Sequence, residues 1–178
     1  MRTPPPLRAA SVLALALAAA ACRHPEPRTL FLNFDAEGSS RALTSGWSGY
    51  EKTASGDTFV WARAREAALA VTADGPADRL IRFRAWPFGW EGAPPQTVTV
   101  WVNDVRLETL TVWEGPRVYA TASPGPAWKS GVNVLRFEFG WAEAPKDRIP
   151  GAADTRTLAA AFDWIEILPI GAEDSRQK

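Results

Sequence analysis

Trp47, Tyr50, Glu51 and Trp61 stand close together in the first third of the chain. They are the residue types that a sugar ring requires. The faces of Trp and Tyr are apolar plates that stack on the C–H faces of a pyranose, and a carboxylate accepts hydrogen bonds from the hydroxyls at its edge. The same types also fill β-sheet cores, so each carries a packing alternative. Trp61 and Trp164 sit inside extended segments, where burial is the expected fate, and Phe59 and Trp61 are expected in the core. Trp101 alternates opposite Val98, Val100 and Val102, and either closes one end of a core or covers a sheet face. Trp90, Trp113 and Trp141 lie in or beside loops, where ligand contact and loop packing remain equal alternatives.

Other chemistry is thinly represented. His24 is the only histidine and Cys22 the only cysteine, which removes Ser-His and Cys-His nucleophilic pairs and any His-based metal site. No phosphate-binding glycine loop or zinc-type cysteine spacing occurs. A glycosidase needs two carboxylates about 5–10 Å apart, but no motif singles out a pair among the 20 acidic residues. The chain is therefore expected not to be an enzyme.

Export is written at the front. Arg2 and Arg8 precede an apolar run from Leu7 to Ala21, too short for a comfortable span of roughly 20 residues, so residues 1–21 are expected to be a signal peptide. Ala19-Ala20-Ala21-Cys22 resembles the lipobox of bacterial lipoproteins, which implies Cys22 as a lipid-bearing first residue. An ordinary cleaved signal is the alternative. Residues 22–28, with Pro25 and Pro27, then form a short tether. Without Arg2 and Arg8, the 20 basic and 20 acidic groups leave a net charge of −2. That balance argues against nucleic acid as a partner.

Strands must position these residues. Leu30, Leu32 and Phe34 alternate in a first strand, and residues 36–45 are expected to be a loop. Residues 46–63 spell a hairpin around Thr53-Ala54-Ser55-Gly56-Asp57. Glu66–Ala73 is ambiguous in period, and its short length favours a strand. Ile81, Phe83 and Ala85 alternate with Arg82 and Arg84, Pro87 to Pro95 is an irregular loop, and residues 96–113 form the clearest hairpin, turning at Asn103-Asp104. Further strands are expected at 117–122, 132–141 and 158–169, with a long loop at 142–155. Nine or ten strands without a long helix predict an antiparallel β-sandwich, over 29–170, with a polar tail at 171–178. The length favours a jelly roll.

Gly46-Trp47…Glu51…Trp61, Val100-Trp101-Val102-Asn103-Asp104, Gly131-Val132-Asn133-Val134-Leu135-Arg136-Phe137 and Arg156-Thr157-Leu158…Ile165-Glu166-Ile167 together resemble galactose-binding-like jelly-roll modules. That is the fold of many carbohydrate-binding modules. They are similar in particular to the extracytoplasmic β-sandwich domains attached to bacterial membrane glycosyltransferases and sulfatase-like proteins. The resemblance implies a ligand site at the loop end of the sandwich, recruiting Trp86, Trp90 and Arg156 to join Trp47, Tyr50 and Glu51. Glu51 and Arg156 have an alternative role as an ion pair pinning the hairpin to the closing strand. The resemblance also implies a structural Ca²⁺ where first and last strands approach, with Asp35, Glu37 and Asp163 as candidate ligands of the hard-oxygen type. The expected function is a lipid-anchored envelope module that binds a glycan. The alternative is an accessory lipoprotein docking another envelope protein through a Trp-rich surface.

Overall fold

Alternation decides where each strand points. In β6 (Arg79–Pro87) Ile81, Phe83 and Ala85 are fully buried while Arg82 and Arg84 stand half-exposed on the other side. The computed structural model describes residues 28–34 and 41–171. Among them it contains eleven strands: β1 (Leu30–Asn33), β2 (Leu43–Ser45), β3 (Trp47–Lys52), β4 (Thr58–Ala62), β5 (Glu66–Ala73), β6, β7 (Gln96–Val102), β8 (Val105–Val112), β9 (Arg117–Ser123), β10 (Gly131–Phe139) and β11 (Ala160–Pro169). One four-residue helix, α1 (Pro145–Arg148), lies in the long loop before β11.

The strands form two antiparallel sheets. One runs β3-β4-β11-β6-β9, with β1 also pairing β11; the other runs β2-β5-β10-β7-β8. The fold is an antiparallel jelly-roll sandwich. The ambiguous segment 66–73 is a strand, fixed by eight paired positions along β10. The expected loop at 36–45 instead ends in β2, which pairs Leu43 with Leu69 across the edge of the second sheet. Three residues are too few to show a period, so no sequence pattern marks it.

Between the sheets lies an aromatic core. Phe162 stacks on Phe83 at 5.4 Å and meets Phe137 edge-on at 5.1 Å. Tyr119 stacks on the other side of Phe83 at 5.5 Å. Interlocked rings of this kind add about 0.5–1.5 kcal/mol per pair beyond the area they bury.

The two ends of the sandwich differ. Loops 87–95, 113–116 and 140–159 gather at one, hereafter the loop end. The other is where β1 enters, Leu30 pairing with Ile167 near the end of β11. There Asn103 adopts a left-handed backbone, φ 51°. Its side chain donates to Asn133 Oδ1 at 2.9 Å and to the Ala127 carbonyl at 2.7 Å. Asn133 is fully buried and bonds the turn at 129–131 as well. The two motif asparagines are therefore staples for this end of the sandwich.

Candidate functional site

The hairpin β3–β4 sends alternate residues to opposite sides, and that divides the residues expected in one site. Val60 and Ala62 face the core, so Phe59 and Trp61 face outward from the first sheet. This corrects the core expectation for Trp61, which is half-buried, and places neither ring in the cluster between the sheets. Phe59 is nonetheless buried, because a second aromatic layer covers this part of the outer face. Ala161 of β11 lies between Trp61 and Trp86 in register, and its small side chain lets rings from both neighbouring strands close over it. Phe59 meets Trp86 at 5.3 Å and Trp61 at 5.8 Å. Trp61 then reaches Phe88 at 6.4 Å, and Phe88 reaches Trp90 at 5.5 Å.

Trp47 turns the other way. Its ring lies 6.0 Å from Phe34, stacked, and 5.3 Å from Phe162, edge-on, and its Nε1 donates to the Ala68 carbonyl at 2.7 Å. It is committed to packing, and the candidate site is built without it. Tyr50 is 52% exposed and pairs with Val60, on the side of β3 opposite Glu51. Neither residue lines a cleft with Trp90.

Glu51 and Arg156 do meet. Arg156 Nη1 donates to Glu51 Oε1 at 2.5 Å, and its Nε and Nη2 hold both oxygens of Asp154 at 2.7–3.1 Å. The clamp joins the β3–β4 hairpin to the loop before β11. The Arg156 hydrogen bonds hold the Asp154 carboxyl well below its usual range, at about 2. The same bonds to Asp154, then to Glu51, raise the Arg156 guanidinium above its ordinary value. Arg156 thus bridges the two carboxylates, Glu51 on one side and Asp154 on the other.

Of the calcium candidates, Asp35 and Glu37 lie outside the described residues, as does Cys22. Asp163 sits where the first and last strands approach, its carbonyl accepting from the Phe34 amide at 3.1 Å. Its carboxylate, however, is ion-paired with Arg84. A guanidinium therefore stands where a cation would have to sit, and no group of three His, Cys, Asp or Glu suited to a metal occurs among the described residues. The described part of this set does not fit calcium.

Two adjoining concave features lie at the loop end. A cleft of about 330 Å³ opens between loop 87–95 and the β8–β9 turn, lined among others by Pro94, Pro95, Trp113, Glu114, Arg117 and Trp141. An adjoining hollow of about 490 Å³ shares Pro87, Gly89, Ala93 and Glu114 with it and adds Trp90 and Glu91. Together they make one groove with three tryptophans. Trp113 is 56% exposed. Its backbone amide donates to the Tyr119 hydroxyl at 2.8 Å, so a ring rooted in the core holds the turn that carries it. Trp141 meets Trp90 edge-on at 4.6 Å and donates its Nε1 to the Pro94 carbonyl at 3.2 Å. Arg148 of α1 lies 5.3 Å from the Trp90 ring.

Gln96, 1% exposed, organises the floor of this groove. Its Nε2 donates to the carbonyls of Trp141 and Ala159 at 2.9 and 3.1 Å. Its Oε1 accepts from the amides of Thr97 and Trp141 at 3.0 and 3.3 Å. One buried amide thus ties the start of β7 to both ends of the long loop. Of the residues expected in a site, the groove keeps Trp90. It adds Trp113 and Trp141, whose loop positions left them open, and Glu114, Arg117 and Gln96, which nothing in the sequence distinguished. The flanking Pro94-Pro95 and Gly115-Pro116 were the available signal, since both mark exposed turns beside a tryptophan.

No protein-family model matches the chain, and no curated protein matches it by sequence. Solved structures match it by shape. A family 35 carbohydrate binding module from an environmental isolate superposes with TM-score 0.52 at 18% identity, covering 80% of this chain and 94% of that one. A family 35 carbohydrate binding module from Clostridium thermocellum gives 0.50 at 11% identity, covering 79% and 97%. The fold is the jelly roll of carbohydrate-binding modules. At these identities the likeness concerns architecture alone.

Proposed function

We propose that the chain is a non-catalytic module of the bacterial cell envelope, lipid-anchored through Cys22, that binds a glycan in the loop-end groove. The observation that carries this is the exposed Trp113 ring in a concave, polar-rimmed cleft with Trp141, Pro94 and Pro95 beside Glu114 and Arg117. Apolar plates take the faces of pyranose rings, and the charged rim takes the hydroxyls. The shared architecture with carbohydrate binding modules supports the reading. The likeness to domains carried by membrane glycosyltransferases and sulfatase-like proteins fits the same envelope setting.

Docking of another envelope protein remains the second reading, and the shape of the aromatic surface weighs against it. A flat apolar patch of several hundred Å² suits a protein partner, whereas these tryptophans border a groove. A glycan array probed with the purified protein and with Trp113→Ala tests the proposal. The variant is expected to retain its fold and bind its best glycan at least about tenfold more weakly, roughly 1.4 kcal/mol. Equal binding by a folded Trp113→Ala protein sinks the groove as the site.

A further inference from the structure

The groove has two chemically different halves. The first is apolar and balanced in charge, with Trp113, Trp141 and the prolines beside Arg117 and Glu114. The second is acidic: Glu91 and Glu114 line it with Trp90, and no basic side chain does. These two carboxylates also differ from most acids of this sheet and end. Glu51, Glu143, Asp154, Asp163 and Glu166 each face an arginine. Neither Glu91 nor Glu114 has an ion pair or a side-chain hydrogen bond among the described residues. The nearest cations are otherwise engaged. Arg148 is bound to Glu143 at 2.9 Å, and Arg117 donates its Nε to the backbone carbonyl of Glu114 at 3.4 Å.

We propose that the groove selects glycans carrying a free amine, that is, deacetylated amino sugars. The inference rests on the glycan-binding reading above and names its substrate class. An ammonium has three donors and no acceptor, so it can pair with either carboxylate while its own ring, or the next, stacks on tryptophan. Acetylation removes the charge and adds bulk, leaving both carboxylates without a partner. A basic peptide would supply the same charge but no flat C–H faces for Trp113 and Trp141, which favours the sugar.

The test measures affinity of the purified protein, by calorimetry at pH 6 and low salt, for glucosamine hexamer, N-acetylglucosamine hexamer and a neutral glucose hexamer. The amine-bearing hexamer is expected to bind three- to tenfold more tightly than the acetylated one, the range that two exposed ion pairs supply. Raising the salt, or introducing Glu91→Gln with Glu114→Gln, is expected to bring that ratio to about one. Equal affinities, a preference that survives in the double variant, or equally strong binding of oligolysine overturns the amine selectivity and leaves a general glycan groove standing. Absence of binding to every oligosaccharide tried removes the glycan reading itself.

Discussion

Gln96 and Asp154 show how much single polar side chains decide here. Replacing Gln96 by Leu preserves bulk but leaves the amides of Thr97 and Trp141 and the carbonyls of Trp141 and Ala159 without their partner, at a position 1% exposed. A cost of about 2–3 kcal/mol in urea unfolding is expected, with weaker groove binding because Trp141 loses its tie to β7. A variant as stable as the parent would show that water replaces the amide. Asp154 makes a pH-dependent contribution. Its carboxyl is held at about 2 by the Arg156 bonds, below the ordinary 3.8, so the folded state binds its proton less readily than the unfolded chain does. The clamp therefore stabilises the fold fully above about pH 4 and loses that contribution as pH falls towards 2. Thermal melting across pH 2–5 should show this loss, and Asp154→Asn should flatten that part of the curve. An unchanged curve would mean that solvent already screens the clamp.

The hairpin β3–β4 illustrates what could be read at the level of elements. Its strands, its turn and the alternation of β6 and β7 follow from residue types alone, because period and turn chemistry are local properties. The face a hairpin buries is not local. Phe59 and Trp61 look like core residues, and only the register against β11 shows Val60 and Ala62 taking that role. The ion pair of Glu51 with Arg156 was foreseeable as one alternative. The groove was not, because Trp90, Trp113 and Trp141 come from three separate loops whose meeting depends on Gln96 and on the long loop's path. The resemblance motifs added little here, since Asn103 and Asn133 serve the opposite end. Gly46 fixes where the hairpin starts: its φ is +78°, and a Cβ there would lie 2.2 Å from the Glu66 carbonyl oxygen. Gly46→Ala must therefore adopt a disfavoured backbone and push β5 aside. A loss of at least about 2 kcal/mol is expected in denaturant unfolding. A loss below half that figure would mean that the hairpin shifts without cost.

At the scale of the whole molecule, the path of the chain sets which way the groove faces. β1 enters beside Ile167, whereas Pro87, on the groove wall, pairs with Ala160, seven residues back along β11. At about 3.3 Å per residue, those points lie about 23 Å apart, at opposite ends of the sandwich. Cys22 precedes Leu30 by eight residues, a reach of less than about 30 Å even if fully extended. An anchor at Cys22 would thus attach at the β1 end, opposite the groove, and a domain standing upright on that end presents the groove away from the bilayer. In that upright orientation soluble polysaccharide is accessible to the groove, and a sugar headgroup in the same membrane is not. Two measurements check this. A palmitate analogue should label the exported protein and fail to label Cys22→Ala. The labelled protein, reconstituted in vesicles, should bind a soluble oligosaccharide ligand as tightly as unlipidated protein does, and gain nothing when the same sugar is supplied as a glycolipid in its own bilayer. Tighter binding to the glycolipid in cis would reverse the orientation and make the tether, not the sandwich, the element that directs the groove.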